Sequence, residues 1–110
     1  MTATREITWT LKNGKNMVAR ISATAGRVER WIDDEVDGHM ILDEAIIEIL
    51  ADGMMVSRCR LDRVAERNPN SNIVDLIHSD DPVDRMVFER SIAAAPIEET
   101  IRQVIAEVVA

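Results

Sequence analysis

Aromatic and cysteine residues are scarce in this sequence. Among 110 residues there are two Trp, one Phe and no Tyr, so an apolar core has to be built from Ile, Val, Leu, Met and Ala. The single cysteine, Cys59, cannot form an internal disulfide, and we therefore expect a reducing, cytoplasmic setting. Cys59 would act as a nucleophile only if its surroundings lowered its pKa. Because it alternates with Arg58 and Arg60 on a predicted strand, a small core residue is the favoured interpretation.

Long apolar runs and glycine-rich motifs are also missing. No run approaches the roughly 20 residues that a membrane span needs, and the sequence does not begin with the charged start and apolar block of a signal peptide. The four glycines, at positions 14, 26, 38 and 53, lie too far apart for a phosphate-binding loop. We expect no membrane partner and no cofactor.

The sequence offers no combination of nucleophile, base and orienting group. Neither His39 nor His78 has a cysteine or a second histidine at zinc-ligand spacing. The run His78-Ser79-Asp80 contains the residue types of a catalytic triad, but adjacent side chains cannot adopt triad geometry. We therefore predict a protein that is not an enzyme and has no catalytic residues.

Positive charge is missing from one long segment. The net charge of −7 argues against nucleic acid or an anionic membrane as the main partner. Between Trp31 and Ser57 there are eight acidic residues and no Lys or Arg. One interpretation is solubility and internal neutralisation, and the other is an acidic surface that binds a basic protein partner. For that surface we select Asp33, Asp34, Glu35, Asp37, Asp43 and Glu44.

A basic patch of four arginines follows: Arg58, Arg60, Arg63 and Arg67. Such a patch can hold a phosphate or an acidic partner, but a solvated strand face offset by neighbouring acids is the favoured interpretation. Just before it, Met54 and Met55 suit an adaptable binding surface. Our preferred interpretation makes them strand residues beside a turn, one facing in and one facing out.

Four acidic residues have the spacing of a metal-binding loop: Asp33, Glu35, Asp37 and Glu44. With Gly38 at the sixth position, this segment resembles the twelve-residue calcium loop of EF-hand proteins, and the resemblance implies a calcium-binding module. Glu35 departs from the usual Asp or Asn, and there is no partner loop. A solvated acidic turn is the favoured interpretation, so we predict no metal site.

Residues 5–21 are the expected start of a sheet, because alternating apolar residues surround Asn13-Gly14. A two-residue turn would mix the two faces of this hairpin. A three-residue loop with Gly14 in the left-handed conformation places the apolar residues of both strands on one face. These are Ile7, Trp9, Leu11, Met17, Ala19 and Ile21. We predict the three-residue loop, with Trp9 largely buried beneath the last helix.

The next segments leave alternatives open. Residues 27–32 either continue the second strand or form a third one after a break or bulge at Ala25-Gly26. Residues 41–51 fit a helix with Asp43 as its N-cap, or a strand paired with residues 54–61 through Asp52-Gly53. Three β-branched isoleucines favour the strand. That hairpin would set Ile49 opposite Val56 and Leu50 opposite Met55.

The end of the chain has two helix signals. Asp81 is a predicted N-cap followed by Pro82, and that helix should run to about Ala94. Pro96 opens a last helix whose apolar residues recur at helical spacing: Ile97, Ile101, Val104, Ile105 and Val108. The fold prediction is one α+β domain over residues 1–110. It has an N-terminal antiparallel sheet of about four strands, covered on one face by two C-terminal helices.

From these observations we predict a small acidic interaction protein. Inhibitors, immunity proteins, chaperone-like proteins and nucleic-acid mimics belong to this class, and the expected partner is a basic protein. The alternatives are the calcium-binding module and a structural subunit that associates with itself as a homo-oligomer.

Overall fold

The computed structural model describes residues 2–28, 40–62 and 77–109. They form the strands β1 (Thr2–Thr10), β2 (Asn16–Val28), β3 (Met40–Ala51), β4 (Met54–Asp62) and β5 (Ile77–His78), and the helices α1 (Pro82–Ala94) and α2 (Ile97–Val109). The strands build one antiparallel sheet in the order β1-β2-β3-β4-β5. The predicted α+β class is confirmed. The two-residue β5, paired with Arg60 and Leu61, is one strand more than expected.

The hairpin between β1 and β2 has the predicted three-residue loop. The Leu11 N–H donates to the Lys15 carbonyl and the Gly14 N–H donates to the Leu11 carbonyl, both at 2.9 Å. Gly14 has a φ of 88°, a conformation that glycine adopts without the steric cost of a Cβ atom. Trp9 lies opposite Met17, so the parity predicted for the two strands is confirmed.

Residues 41–51 belong to strand β3, so the helical alternative is wrong. β3 pairs with β2 on one side and β4 on the other. Its β-branched isoleucines favour this strand conformation. Asp52 and Gly53 have φ values of 47° and 83°, as expected for a two-residue hairpin turn. β2 continues to Val28, with register shifts on both sides of Ala25.

The observed register of β4 differs from the predicted one because β4 contains a β-bulge. Leu50 lies opposite Met55 as predicted, but Ile49 lies opposite Ser57 rather than Val56. Val56 is therefore the extra residue of a β-bulge, in which two residues oppose one. Val56 lines a groove beside α1, and Ser57 is buried and hydrogen-bonded to α1. The bulge thus turns two consecutive residues toward the helices.

One face of the sheet is covered by the helices. α2 lies over β1, β2 and β3, and α1 lies over β4. The sheet contributes the buried residues Ala3, Met17, Ala19, Ile21, Ala23, Ala45, Ile47, Ile49, Ser57, Cys59, Leu61 and Ile77. α2 adds its whole predicted stripe: Ile97, Ile101, Val104, Ile105 and Val108. Each large apolar side chain contributes about 1.5–3 kcal/mol when fully buried, so α2 is the main cover of the core.

The opposite face carries a row of alternating charges, which we call the charged face. Glu6 lies opposite Arg20, Arg20 opposite Glu48, and Glu48 opposite Arg58 across four strands. Arg20 Nε is 3.0 Å from Glu6 Oε1. Oppositely charged neighbours on adjacent strands favour this pairing, although an exposed ion pair contributes only about 0–1 kcal/mol. The row agrees with the register that the buried face requires.

Candidate functional site

Most of the predicted acidic surface lies outside the described residues. Asp33, Asp34, Glu35 and Asp37 fall in the segment between β2 and β3, as does His39. The backbones of Asp43 and Glu44 belong to β3, where Glu44 lies opposite Asp62 on β4. The acidic surface and the calcium loop therefore stay predictions. Among the residues that the structure describes, no group of three or more His, Cys, Asp or Glu side chains is placed to hold a metal ion.

Two of the four arginines of the basic patch lie within the described residues. Arg58 and Arg60 lie on the charged face of β4, where Arg58 is exposed and Arg60 is half-buried. Arg63 and Arg67 lie outside the described residues. Arg58 lies opposite Glu48 and Arg60 lies opposite His78, which is exposed on β5. A binding role for these arginines stays a prediction.

Cys59 is a core residue, as predicted. Its side chain is fully buried on β4, and burial raises the pKa of its thiol. The hydrogen bond with Ser57 and the charge of Arg85 lower that pKa, while the charge of Asp84 raises it. The sulfur lies 3.7 Å from the Asp84 carbonyl oxygen. A buried thiol with a raised pKa is a poor nucleophile, because the thiolate is the reactive form.

A groove of about 490 Å³ lies between α1 and the end of the sheet that carries both hairpin turns. The strands contribute Trp9, Met17, Ala51 and Val56 to its walls, and α1 contributes Val87, Ser91 and Ala94. The remaining lining residues are Leu11, Lys15 and Arg90. Small side chains at positions 51, 91 and 94 leave the space that larger ones would fill.

Polar contacts fix the walls of the groove. The Ser57 hydroxyl donates to the Asp84 carbonyl at 2.7 Å, which holds the first turn of α1 against β4. The two hairpin turns are tied together, because the Asn16 N–H donates to Asp52 Oδ1 at 2.9 Å and the Asp52 N–H donates to the Asn16 carbonyl at 2.8 Å. A site built on fixed elements loses less entropy when it binds.

Exposed apolar side chains extend the groove outward. We call these residues the apolar strip: Met54, Val56, Val83 and Met86, with exposed fractions from 38% to 74%. Val83 and Met86 precede the lining residues Val87 and Arg90 by four positions, so they continue the same row along α1. Met54 lies opposite Ala51 on the helix-covered face and Met55 lies opposite Leu50 on the charged face, so the two face opposite sides of the sheet as predicted, although both are exposed. Both lie beside the turn, at the end of β4 before the bulge.

The charged side chains along the groove are both positive. Lys15 and Arg90 line it, and no carboxylate is among the lining residues that the structure describes. Within the described residues neither cation has an ion-pair partner, whereas Arg85 on the same helix pairs with Glu89 at 3.1 Å. The groove thus has a positive rim on a chain whose net charge is −7.

Sequence reasoning missed this groove and overestimated the burial of Trp9. Trp9 has the predicted face and packs against the core, but it is only half-buried because one side of it lines the groove. Two signals pointed to the site: the adjacent Met54-Met55, and apolar residues on more than one side of α1. Neither shows where α1 lies on the sheet.

Comparison with known proteins identifies no relative of this chain. No protein-family model matches the chain, and no curated protein or solved structure matches it. In the part of the chain that the structure describes, neither helix has the length and apolar character needed to cross a membrane. A functional assignment therefore rests on the groove and its surroundings.

Proposed function

We propose that this protein is a non-enzymatic interaction protein that binds a protein partner over the groove and the apolar strip. The observation that carries the proposal is the grouping of large exposed apolar side chains around one groove. Single exposed apolar residues are ordinary on a protein surface, whereas a contiguous patch marks an interaction site. The absence of a catalytic combination in the sequence fits the same class of function.

The groove and the strip have different roles in such an interface. A large side chain of the partner enters the groove and packs against Trp9, in the way that buried anchors contribute most of the binding energy. Met54 and Met86 flank the entrance with flexible, polarizable side chains that adjust to the partner's shape. The positive rim steers the approach of the partner.

The test compares two tryptophan substitutions one residue apart on α1. Ala94 lines the groove, whereas Ala93 is exposed and does not. Wild type, Ala94→Trp and Ala93→Trp are used as bait in the native host, and captured proteins are quantified by mass spectrometry. A partner that is retained by wild type and Ala93→Trp but lost with Ala94→Trp supports the proposal. Identical sets of captured proteins for all three baits contradict it.

The acidic segment supplies a second surface for the same class of function. Eight carboxylates without a Lys or Arg between Trp31 and Ser57 create a negative potential that steers a basic partner. Replacing Asp33, Asp34, Glu35 and Asp37 with Asn or Gln should slow association with such a partner several-fold and leave the melting temperature nearly unchanged. Unchanged association with an earlier melting transition would make these acids structural. Stopped-flow association and thermal unfolding measure the two quantities.

A further inference from the structure

We infer that the groove binds an acidic, apolar segment of the partner protein. A carboxylate of that segment lies at the positive rim, between Lys15 and Arg90, and its neighbouring apolar side chains enter the groove. This inference rests on the proposed function and names the chemistry that the partner presents.

Charge complementarity is the first argument. Lys15 and Arg90 are the charged lining residues, and within the described residues neither forms an ion pair. Two neighbouring acids are already engaged. Glu89, next to Arg90 in the chain, pairs with Arg85 at 3.1 Å, and Asp52 on the adjoining hairpin turn accepts from the Asn16 N–H through Oδ1 at 2.9 Å. A carboxylate of the partner would form charge-assisted hydrogen bonds with both cations. A basic segment would instead be repelled.

The extent of the apolar surface favours a protein segment over a free fatty acid. The groove volume of about 490 Å³ falls within the roughly 300–1,000 Å³ typical of ligand clefts, so it holds an aliphatic tail or a few side chains. Beyond the groove, Met54, Val83 and Met86 stay exposed. A single alkyl chain inside the groove leaves these residues in water, whereas a bound segment covers them as well.

The position of the groove leaves it accessible to a partner. It lies at the sheet end that carries the turns at Gly14 and Gly53. The strand ends at Val28, Met40 and Asp62 belong to the other end of the sheet. Hydrogen bonds between the two turns hold the wall that carries Lys15, so the cation is presented from a fixed loop.

A peptide selection tests this inference while the partner is still unidentified. A random 12-residue peptide library displayed on phage is selected on the wild-type protein, after depletion on Ala94→Trp. Enriched peptides are synthesised and their affinities measured by titration calorimetry. We expect enriched peptides to carry Asp or Glu next to large apolar residues. The double variant Lys15→Glu/Arg90→Glu should weaken their binding by about tenfold or more, as for other interfacial charge pairs.

The control variant changes the same charge at cations that do not line the groove. Lys12 belongs to the same loop as Lys15, and Arg58 lies on the charged face. The double variant Lys12→Glu/Arg58→Glu should leave affinity within about twofold, since exposed charges that do not contact the bound peptide are largely screened by salt. A peptide with its acid changed to Lys should recover affinity for Lys15→Glu/Arg90→Glu. Urea unfolding of each variant verifies that it is folded.

The other outcomes overturn the inference in distinguishable ways. If enriched peptides are neutral or basic, or bind Lys15→Glu/Arg90→Glu as tightly as wild type, the acidic chemistry of the segment is wrong. In that case a host partner that is lost with Ala94→Trp still supports the proposed function. If no peptide distinguishes wild type from Ala94→Trp, the inference fails. If host partners also bind both proteins equally, the proposed function fails with it.

A free amphiphile is tested in a separate titration. Sodium dodecanoate is titrated in parallel, with Trp9 fluorescence observed in a Trp31→Phe background. Saturable dodecanoate binding without peptide enrichment would identify a free amphiphile site instead.

Discussion

The two helices have the same length and follow each other in the chain, but they bury different amounts of apolar surface. Both have 13 residues. Among the side chains of α2 that the structure describes, five apolar residues are buried, all on one stripe, whereas α1 buries only Phe88 and Ser91. The apolar residues of α1 are divided between the side that packs on the sheet and the side that carries Val83 and Met86, which stay exposed.

A helix can therefore be held in place without burying all of its apolar surface. α1 is attached to the sheet at its start by polar contacts. Arg85 Nη1 donates to the Ile77 carbonyl at 3.0 Å, and the Ser57 hydroxyl donates to the Asp84 carbonyl. The Asp81 side chain accepts from the Val83 N–H at 2.9 Å and caps the helix. One helix therefore serves stability, and the other leaves apolar residues for a partner.

Truncating one apolar residue on each helix tests this division of roles with the largest expected effect. Ile101 on α2 is fully buried, whereas Met86 on α1 is 45% exposed. Ile101→Ala should lower the free energy of unfolding by about 2–5 kcal/mol through lost burial and a residual cavity. Met86→Ala should change it by less than about 0.5 kcal/mol, as surface substitutions usually do. Equal losses in urea titration would contradict the division of roles.

Trp9 lies between these two situations, because it packs on the core and also lines the groove. Truncating a fully buried aromatic residue costs about 3–5 kcal/mol. For the half-buried Trp9 we expect Trp9→Ala to lower the free energy of unfolding by about 2 kcal/mol. The same substitution should also abolish partner binding. A loss below about 1 kcal/mol in urea titration would show that Trp9 belongs to the groove alone. Thr8→Ala, on the other face of β1, is the control.

The polar attachment of α1 should have a smaller effect. Ser57→Ala removes the hydroxyl that donates to the Asp84 carbonyl at 2.7 Å, and one hydrogen bond contributes about 0.5–1.5 kcal/mol net. We expect a loss of about 1 kcal/mol, with faster amide hydrogen exchange in the first half of α1. Ser22→Ala on the charged face is the matched control. If exchange in α1 is unchanged, the helix is held by Phe88 rather than by this contact.

The smallest effect is expected on the charged face. Glu6→Gln removes the exposed ion pair with Arg20 and should cost less than about 0.5 kcal/mol at physiological salt. The reason is that water and dissolved ions screen the pair. Chemical denaturation at low and high salt measures the difference. A loss above about 1 kcal/mol would mean that the whole row of charges acts as one network.

The parts of the fold that were predictable from the sequence depend on neighbours along the chain. Asn13-Gly14 indicated a loop whose length followed from parity, and Asp81-Pro82 indicated where α1 begins. The spacing from Ile97 to Val108 indicated the buried stripe of α2. In each of these cases a few consecutive residues contain both the signal and its physical cause.

The parts that were not predictable depend on residues far apart in sequence. The bulge at Val56 reflects how β4 meets α1, and the pattern of β4 does not contain that information. The two residues of β5 are too short a segment for a periodicity to show. The groove arises because α1 crosses beside Ala51 with small residues facing it, so its position required the tertiary structure.

The order of strands in the sheet has a consequence for how the chain folds. Each strand pairs with its neighbour in sequence, so the sheet assembles by closing short loops, which is entropically favourable and fast. The contact between Arg5 and Glu107, at 2.6 Å, joins residues 102 positions apart. Forming this contact closes a loop of almost the whole chain, so we expect α2 to dock late. Until then the apolar side of the hairpins is exposed to other chains, so a defect in α2 should increase aggregation during folding as well as lower stability.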